Sequence, residues 1–300
     1  MGWSFSRRAA SRFVAGDVLT DAIKVIRRLN ATGLLVTLDH LGENVTKFEE
    51  ASAAARDYIE ILNQIEVTGV KSNISIKLTQ LGLNIDFEGC LDNLRRIARK
   101  AAESGILVRI DIEDSQTVDQ TWLSFRTLKD EGLTNIGLAI QSYLYRSQED
   151  ARALLAEGAR FRLCKGAYKE SADVAFPRKA DVDANYDSLT EILINSAIAA
   201  GAEPAAPDGR YPPVAAIATH DPKRISFARK HADRIGFPKH ALEFQMLHGI
   251  RNDLQIMLAE EGYPVRVYVP FGTEWYPYLM RRLAERPANL WFFLSHLLRY

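Results

Sequence analysis

Leu34-Leu-Val-Thr-Leu38 runs directly into Asp39-His-Leu-Gly-Glu43, and the junction decides between two folds. A doubly wound nucleotide-binding sheet usually carries a Gly-rich turn after its first strand, so that backbone amides can approach a pyrophosphate. Here acidic residues and a histidine follow instead. Seven more β-rich runs come after it, at residues 74–78, 107–111, 136–140, 161–164, 214–217, 242–245 and 265–269. Between them lie stretches with apolar residues at helical spacing, such as residues 90–99 and 150–156. Eight strands separated by helices over ~240 residues is the length of a (β/α)8 TIM-type barrel. The expected organisation is an N-terminal helical arm over residues 1–30 and one barrel over residues 31–300. Residues 165–185 and 201–213 read as long surface loops, candidates for a lid or rim.

Composition narrows the function classes. Lys plus Arg equals Asp plus Glu at 38 each, so no basic footprint points to nucleic acid. Two cysteines, Cys90 and Cys164, make no disulfide framework and have no metal-ligand spacing, so no metal is expected and a reducing cytoplasm is. No apolar run reaches the ~20 residues of a membrane span. Residues 1–6 fit a loose myristoylation pattern, read here as chance. Arg7, Arg8 and Arg12 among Phe5, Phe13 and Val14 could lie on an anionic bilayer or pack against the barrel.

Barrel enzymes place their chemistry at the C-terminal ends of strands. Polar residues stand there on every strand: Asp39 and His40 with Glu43, Lys77, Asp111, Gln141, Arg162 with Lys165, Thr219 with His220, Glu243 with Gln245, and Tyr268. After the last strand, a helix from residue 273 to 287 carries two adjacent arginines, Arg281 and Arg282, with Glu285 one turn on. Two guanidinium groups can fork around one carboxylate. With Lys77 they form a cationic cluster for a small acid, and Tyr168, Tyr268 and Leu247 offer its walls. Lys77 could equally be a core lysine paired with Asp111. No nucleophile–base pair accompanies the cluster, which implies a cofactor for the difficult step. The rival is a Schiff-base lyase or aldolase using Lys77 or Lys165.

Eight ordered segments carry a resemblance: residues 38–43, 75–78, 111–114, 139–143, 162–168, 218–220, 243–249 and 278–285. In that order and spacing the chain resembles the proline dehydrogenases, most closely the short monofunctional bacterial type. The resemblance implies a distorted barrel that holds FAD noncovalently and oxidises L-proline to Δ1-pyrroline-5-carboxylate. Electrons would pass to a membrane quinone, with peripheral contact on the inner face of the membrane, and a pyrroline-5-carboxylate dehydrogenase would act downstream. It also implies roles. Lys77, Arg281 and Arg282 would clamp the proline carboxylate, while Tyr168, Tyr268 and Leu247 shape the pocket. Asp111 would bond to substrate or to an arginine. Glu43 and Arg281 would form a gate. Arg162 would face the flavin N5 region, with Gln141, Lys165, Gly166, Thr219, His220 and Gln245 as further FAD contacts. Cys164, Met246 and Asp221 depart from the family pattern beside the flavin site.

Overall fold

A computed structural model describes residues 11–285, with side chains as far as Arg282. The myristoylation pattern, Phe5, Arg7, Arg8 and the Glu285 side chain lie outside the described residues. Eight strands form the architecture: β1 (Leu35–His40), β2 (Ser72–Lys77), β3 (Val108–Asp111), β4 (Ile136–Gln141), β5 (Phe161–Cys164), β6 (Ala215–Ala218), β7 (Leu242–Leu247) and β8 (Val265–Phe271). All neighbours are parallel, and β8 closes on β1, with Thr37 opposite Tyr268, so the sheet is a complete barrel. Around it in chain order run α1 (Leu19–Ala31), α2 (Phe48–Thr68), α3 (Phe87–Glu103), α4 (Val118–Asp130), α5 (Ser147–Ala156), α6 (Lys179–Ala199), α7 (Pro222–Arg234), α8 (Asn252–Glu260) and α9 (Trp275–Glu285).

The strands form because one alternating face is aliphatic and packs under the helices. Val36, Leu38, Ile74, Ile76, Val108, Ile110, Leu138, Leu163, Ile217, Phe244 and Val267 are fully buried there. Residues on the other face point into the barrel, and many of them are charged. Arg266 donates to both Glu243 oxygens, at 2.9 and 3.0 Å, and also to Asn73 Oδ1 at 3.0 Å. Arg109 reaches the Leu138 carbonyl at 2.8 Å. Room for these guanidinium groups comes from small residues on the facing strands: Gly137, Ala139, Ala216 and Ala218. At Gly137 a β-carbon would stand 2.7 Å from Arg109 Nη1, so only glycine admits that side chain.

Two loop expectations are corrected. The helix α6 starts at Lys179, so the loop after β5 covers only residues 165–178. The first turns of α6 are polar because Asp183 and Asp187 face a cationic rim, which weakens the apolar period that would have marked a helix. The segment 201–213 is a loop, but it lies at the barrel base, opposite the strand ends that carry chemistry. Its Gly209 carbonyl accepts from Arg266 Nη1 at 2.7 Å, and the Arg210 carbonyl accepts from the Leu107 N–H at 3.0 Å. It plugs the floor and is no lid.

The arm packs. Helix α1 buries Ala22, Ile23, Val25 and Ile26 against β8 and β1. Before it, Phe13 and Val14 are buried in a separate apolar cluster with Leu41, Ile250, Trp275, Tyr278 and Leu279, flanked by Leu247 and Tyr268. The Ala15 N–H donates to the Pro270 carbonyl at 2.8 Å, so the arm crosses the end of β8 and braces α9.

Candidate active site

The mouth is built on a column of buried polar groups. Arg162 on β5 stands at its centre, donating to Gln245 Oε1 at 2.6 Å, to Ser75 Oγ at 2.9 Å and to Asp111 Oδ1. Ser75 donates in turn to Asp111 Oδ1 at 2.8 Å, and Tyr268 donates to Asp111 Oδ2 at 2.9 Å. The Arg162 guanidinium also lies 5.1 Å from the Tyr268 ring centroid. Burial opposes the charge on Arg162, and Asp111 together with Cys164, Tyr268 and Glu243 outweighs it, so the group is held cationic. Desolvation, with Asp111 and Asp39 beside it, keeps the Tyr268 phenol protonated. Asp111 thus bonds an arginine and a tyrosine of the column.

Lys77 has a partner the sequence did not reveal. Its ammonium donates to Asp39 Oδ1 and Oδ2 at 2.9 and 3.0 Å and touches Tyr268 Oη at 3.4 Å. Its expected core partner, Asp111, is opposite it in strand register but bonds elsewhere. Burial works against the ammonium charge; Asp39 and Asp111 outweigh it and raise the pKa above that of a free lysine. Imine formation needs the neutral amine, so this pairing works against Lys77 as the Schiff-base nucleophile. It also means that Lys77 meets the mouth as half of an ion pair and not as a bare cation.

Above this column sit the groups from α9 and the loops. Arg281 donates to both oxygens of Glu43, one at 3.1 Å, and its guanidinium lies 5.6 Å from the Tyr168 ring. Arg282 is buried, 4.9 Å over the Tyr278 ring, and close enough to Cys164 for its charge to lower that thiol's pKa. Burial dominates at Cys164 all the same and pushes it up to about 11. The adjacent arginines therefore serve one region: Arg281 at the rim and Arg282 beneath it. Leu247 is half-buried against the Phe13 cluster beside Tyr268, and its N–H donates to His220 Nε2 at 2.9 Å. That bond leaves the imidazole proton on Nδ1.

The residues expected around a flavin gather on β4 to β7. Gln141 donates to the Ile112 and Glu113 carbonyls, both at 3.2 Å, while its buried Oε1 has no partner among the described residues. Lys165 is tied to Asp183 and, at 3.0 Å, to Asp221. Asp221 also caps α7, accepting from the Lys223 N–H at 3.0 Å, so it serves as both anchor and cap. Gly166 has φ +119°, and a β-carbon there would fall 2.5 Å from the Tyr143 ring. Thr219 Oγ1 accepts from the Asp221 N–H at 3.1 Å. Among the described residues no three His, Cys, Asp or Glu side chains are grouped to hold a metal.

Several members of this site escaped the sequence reading: Asp39 as partner of Lys77, Ser75 and Thr37 beside Arg162, and the Arg266–Glu243 pair below. Their signal was present. On β1, β2, β3, β7 and β8 polar residues recur at alternate positions, whereas strands of a parallel barrel usually read as continuous apolar runs.

Comparisons agree with this architecture. Residues 22–294 match the family Pro_dh, Proline dehydrogenase. Proline dehydrogenase 1 of Bacillus subtilis is 41% identical over 294 residues, covering 98% of this chain and 92% of its own. The proline dehydrogenase of Deinococcus radiodurans is 41% identical over 294 residues, covering 97% and 90%. Among solved structures, proline utilization A of Bdellovibrio bacteriovorus, inactivated by N-propargylglycine, superposes with a TM-score of 0.82 at 26% identity. That match covers 92% of this chain and 32% of the larger protein.

Proposed function

The chain belongs to the proline dehydrogenase family, and from that premise we propose that it oxidises L-proline at C5 with FAD as the hydride acceptor. The product is Δ1-pyrroline-5-carboxylate. The observation that carries the reading is the pair Arg281 and Arg282 set over the Arg162–Asp111–Tyr268 column, a carboxylate clamp above a buried cation. Bound FAD supplies the two-electron chemistry that these side chains lack. Gln141, Arg162, Lys165, Gly166, Thr219, His220 and Gln245 would hold it. The orphaned Gln141 Oε1 suits such a ligand.

In this reading the chain's own groups bind, orient and exclude water. Arg281 and Arg282 hold the proline carboxylate through charge-assisted bonds. Tyr168, Tyr268 and Leu247 enclose the ring. Asp111 fixes the Tyr268 hydroxyl and the Arg162 guanidinium, and Asp39 fixes Lys77, so the floor of the pocket is preorganised before substrate arrives. Arg162 would supply a positive charge from the floor of the pocket. Glu43 releases Arg281 when the substrate carboxylate takes its place, which makes the ion pair a gate. The substrate amine must lose its proton before hydride leaves C5, so activity rises toward alkaline pH. A membrane quinone accepts the electrons and a pyrroline-5-carboxylate dehydrogenase consumes the product. The protein works in the cytoplasm, meeting the membrane from its inner face. Among the described residues no helix is long and apolar enough to cross a membrane.

The decisive measurement is the visible spectrum of the purified protein before and after anaerobic L-proline. Flavin bands that bleach are the expected result. Flavin that stays oxidised would move the substrate to another small acid, and a colourless protein that takes up no added FAD would overturn the reading.

A further inference from the structure

The loop over residues 165–178 carries Tyr168 and is fastened at both ends. At its start Lys165 is tied to Asp183 and Asp221. At its far end the Phe176 N–H donates to the Tyr143 carbonyl at 2.8 Å, the Tyr145 N–H to the Val174 carbonyl at 3.1 Å, and the Tyr145 hydroxyl to the Ala172 carbonyl at 2.8 Å. Between these anchors a single carboxylate makes a third. Glu170 Oε1 accepts from the Ser115 N–H and Oε2 from the Ser115 hydroxyl, both at 2.7 Å. Tyr143 completes the fixture: its ring lies under Gly166, and its hydroxyl reaches Glu170 Oε1 at 3.5 Å.

Glu170 is two residues from Tyr168, a reach of at most ~7 Å of extended chain. Two charge-assisted bonds to one residue fix direction as well as distance. Ser115 belongs to the loop after β3, the strand that carries Asp111, so the clamp references Tyr168 to the same strand as the column below.

We propose that Glu170 is a positioning residue for substrate: its two-point clamp on Ser115 sets the height of Tyr168 over Arg281 and thereby the affinity for the small carboxylate substrate. This rests on the reading of Tyr168 as a wall of the proline pocket. A loop staple with only a structural role would lower stability and leave substrate affinity unchanged.

The test is steady-state kinetics on the holoenzyme, with bound flavin per chain and Tm recorded, for Glu170→Ala, Glu170→Gln, Ser115→Ala, Tyr168→Ala and the Tyr168→Ala/Glu170→Ala double variant. Expected for Glu170→Ala is a proline KM raised by roughly three- to tenfold, with kcat within about twofold and flavin content unchanged. Glu170→Gln, which removes the charge, and Ser115→Ala, which removes one of the two bonds, fall between. The double variant has the KM of Tyr168→Ala alone, since the clamp acts through that ring. An unchanged KM in Glu170→Ala beside a raised KM in Tyr168→Ala would overturn the clamp alone, as would additive effects or a loss of flavin. An unchanged KM in Tyr168→Ala would overturn the pocket reading and the clamp with it. Should Glu170→Ala fail to fold, Ser115→Ala carries the same criteria.

Discussion

Two arginine–glutamate pairs in this molecule share their chemistry and differ in everything around it. Arg266 and Glu243 sit on adjacent strands in the barrel stem, with side chains 1% and 0% exposed, and the arginine has further acceptors on three other segments. Arg281 and Glu43 join a terminal helix to a loop at the mouth, 20% and 13% exposed. The stem pair has no route to a ligand or to water. The mouth pair is partly open to solvent, and its arginine lies against the Tyr168 ring. The comparison teaches that an ion pair's role follows from what its members could do if it broke. The stem pair is a rivet, whereas the mouth pair is a latch.

The largest effect should come from breaking the rivet. Glu243→Ala leaves a buried guanidinium without its counter-charge, and urea denaturation should show a loss of ~3–5 kcal/mol, if the variant folds at all. A loss below ~1 kcal/mol would mean the stem tolerates an uncompensated cation, and the contrast would collapse. Next comes the clamp itself. Arg281→Met and Arg282→Met should each raise the proline KM at least tenfold, because a charge-assisted bond is worth ~1.5–3 kcal/mol. An unchanged KM in both would remove the carboxylate from this end of the barrel.

Opening the latch should be gentler. Glu43→Ala is expected to shift stability by no more than ~1 kcal/mol while changing turnover more than flavin content. Loss of flavin on purification would count against a gate. The smallest effect belongs to the rim between the two extremes, where Asp187 pairs with Arg224 at 2.9 Å. Burial, opposed by Arg224 and reinforced by Asp183 and Asp221, raises Asp187 to about 6 from 3.8. A carboxyl whose folded pKa is raised contributes stability below the unfolded pKa and loses it as pH rises through the folded one. Asp187→Asn should therefore gain Tm relative to the parent as pH rises from about 4 to about 6, the window those two pKa values define. A Tm difference constant across that window would refute the assignment.

The barrel was legible because the outward strand faces are largely apolar and most intervening helices have an apolar period, α6 with its polar first turns being the exception; strands placed at residues 136–140 and 161–164 begin where β4 and β5 begin. Most of the mouth was legible too, since a charge at a strand end costs desolvation unless it meets a partner or a ligand there. The partners were not. Asp39 was visible as a residue, but its pairing with Lys77 depends on β1 lying beside β2 with Asp39 opposite Ser75, a relation that closure of the sheet creates. The Glu170 clamp joins residues 55 apart in sequence with no periodicity between them. The floor loop at Gly209 looked like a lid because sequence shows that a segment is loop-like without showing which end of the barrel it covers.

Barrel closure also has a consequence in time. Strand β1, from Leu35 to His40, pairs with β8, from Val265 to Phe271, and the Ala15 N–H is satisfied by Pro270. At ~5–20 residues per second of synthesis, those early segments wait on the order of tens of seconds for their partners to emerge from the ribosome. Through that interval β1 is a strand with one free edge, and the apolar residues Phe13 and Val14 have no Trp275 or Leu279 to cover them. The parts that complete the mouth are thus the last to find each other. A nascent chain can hold most of a barrel and still lack a binding site.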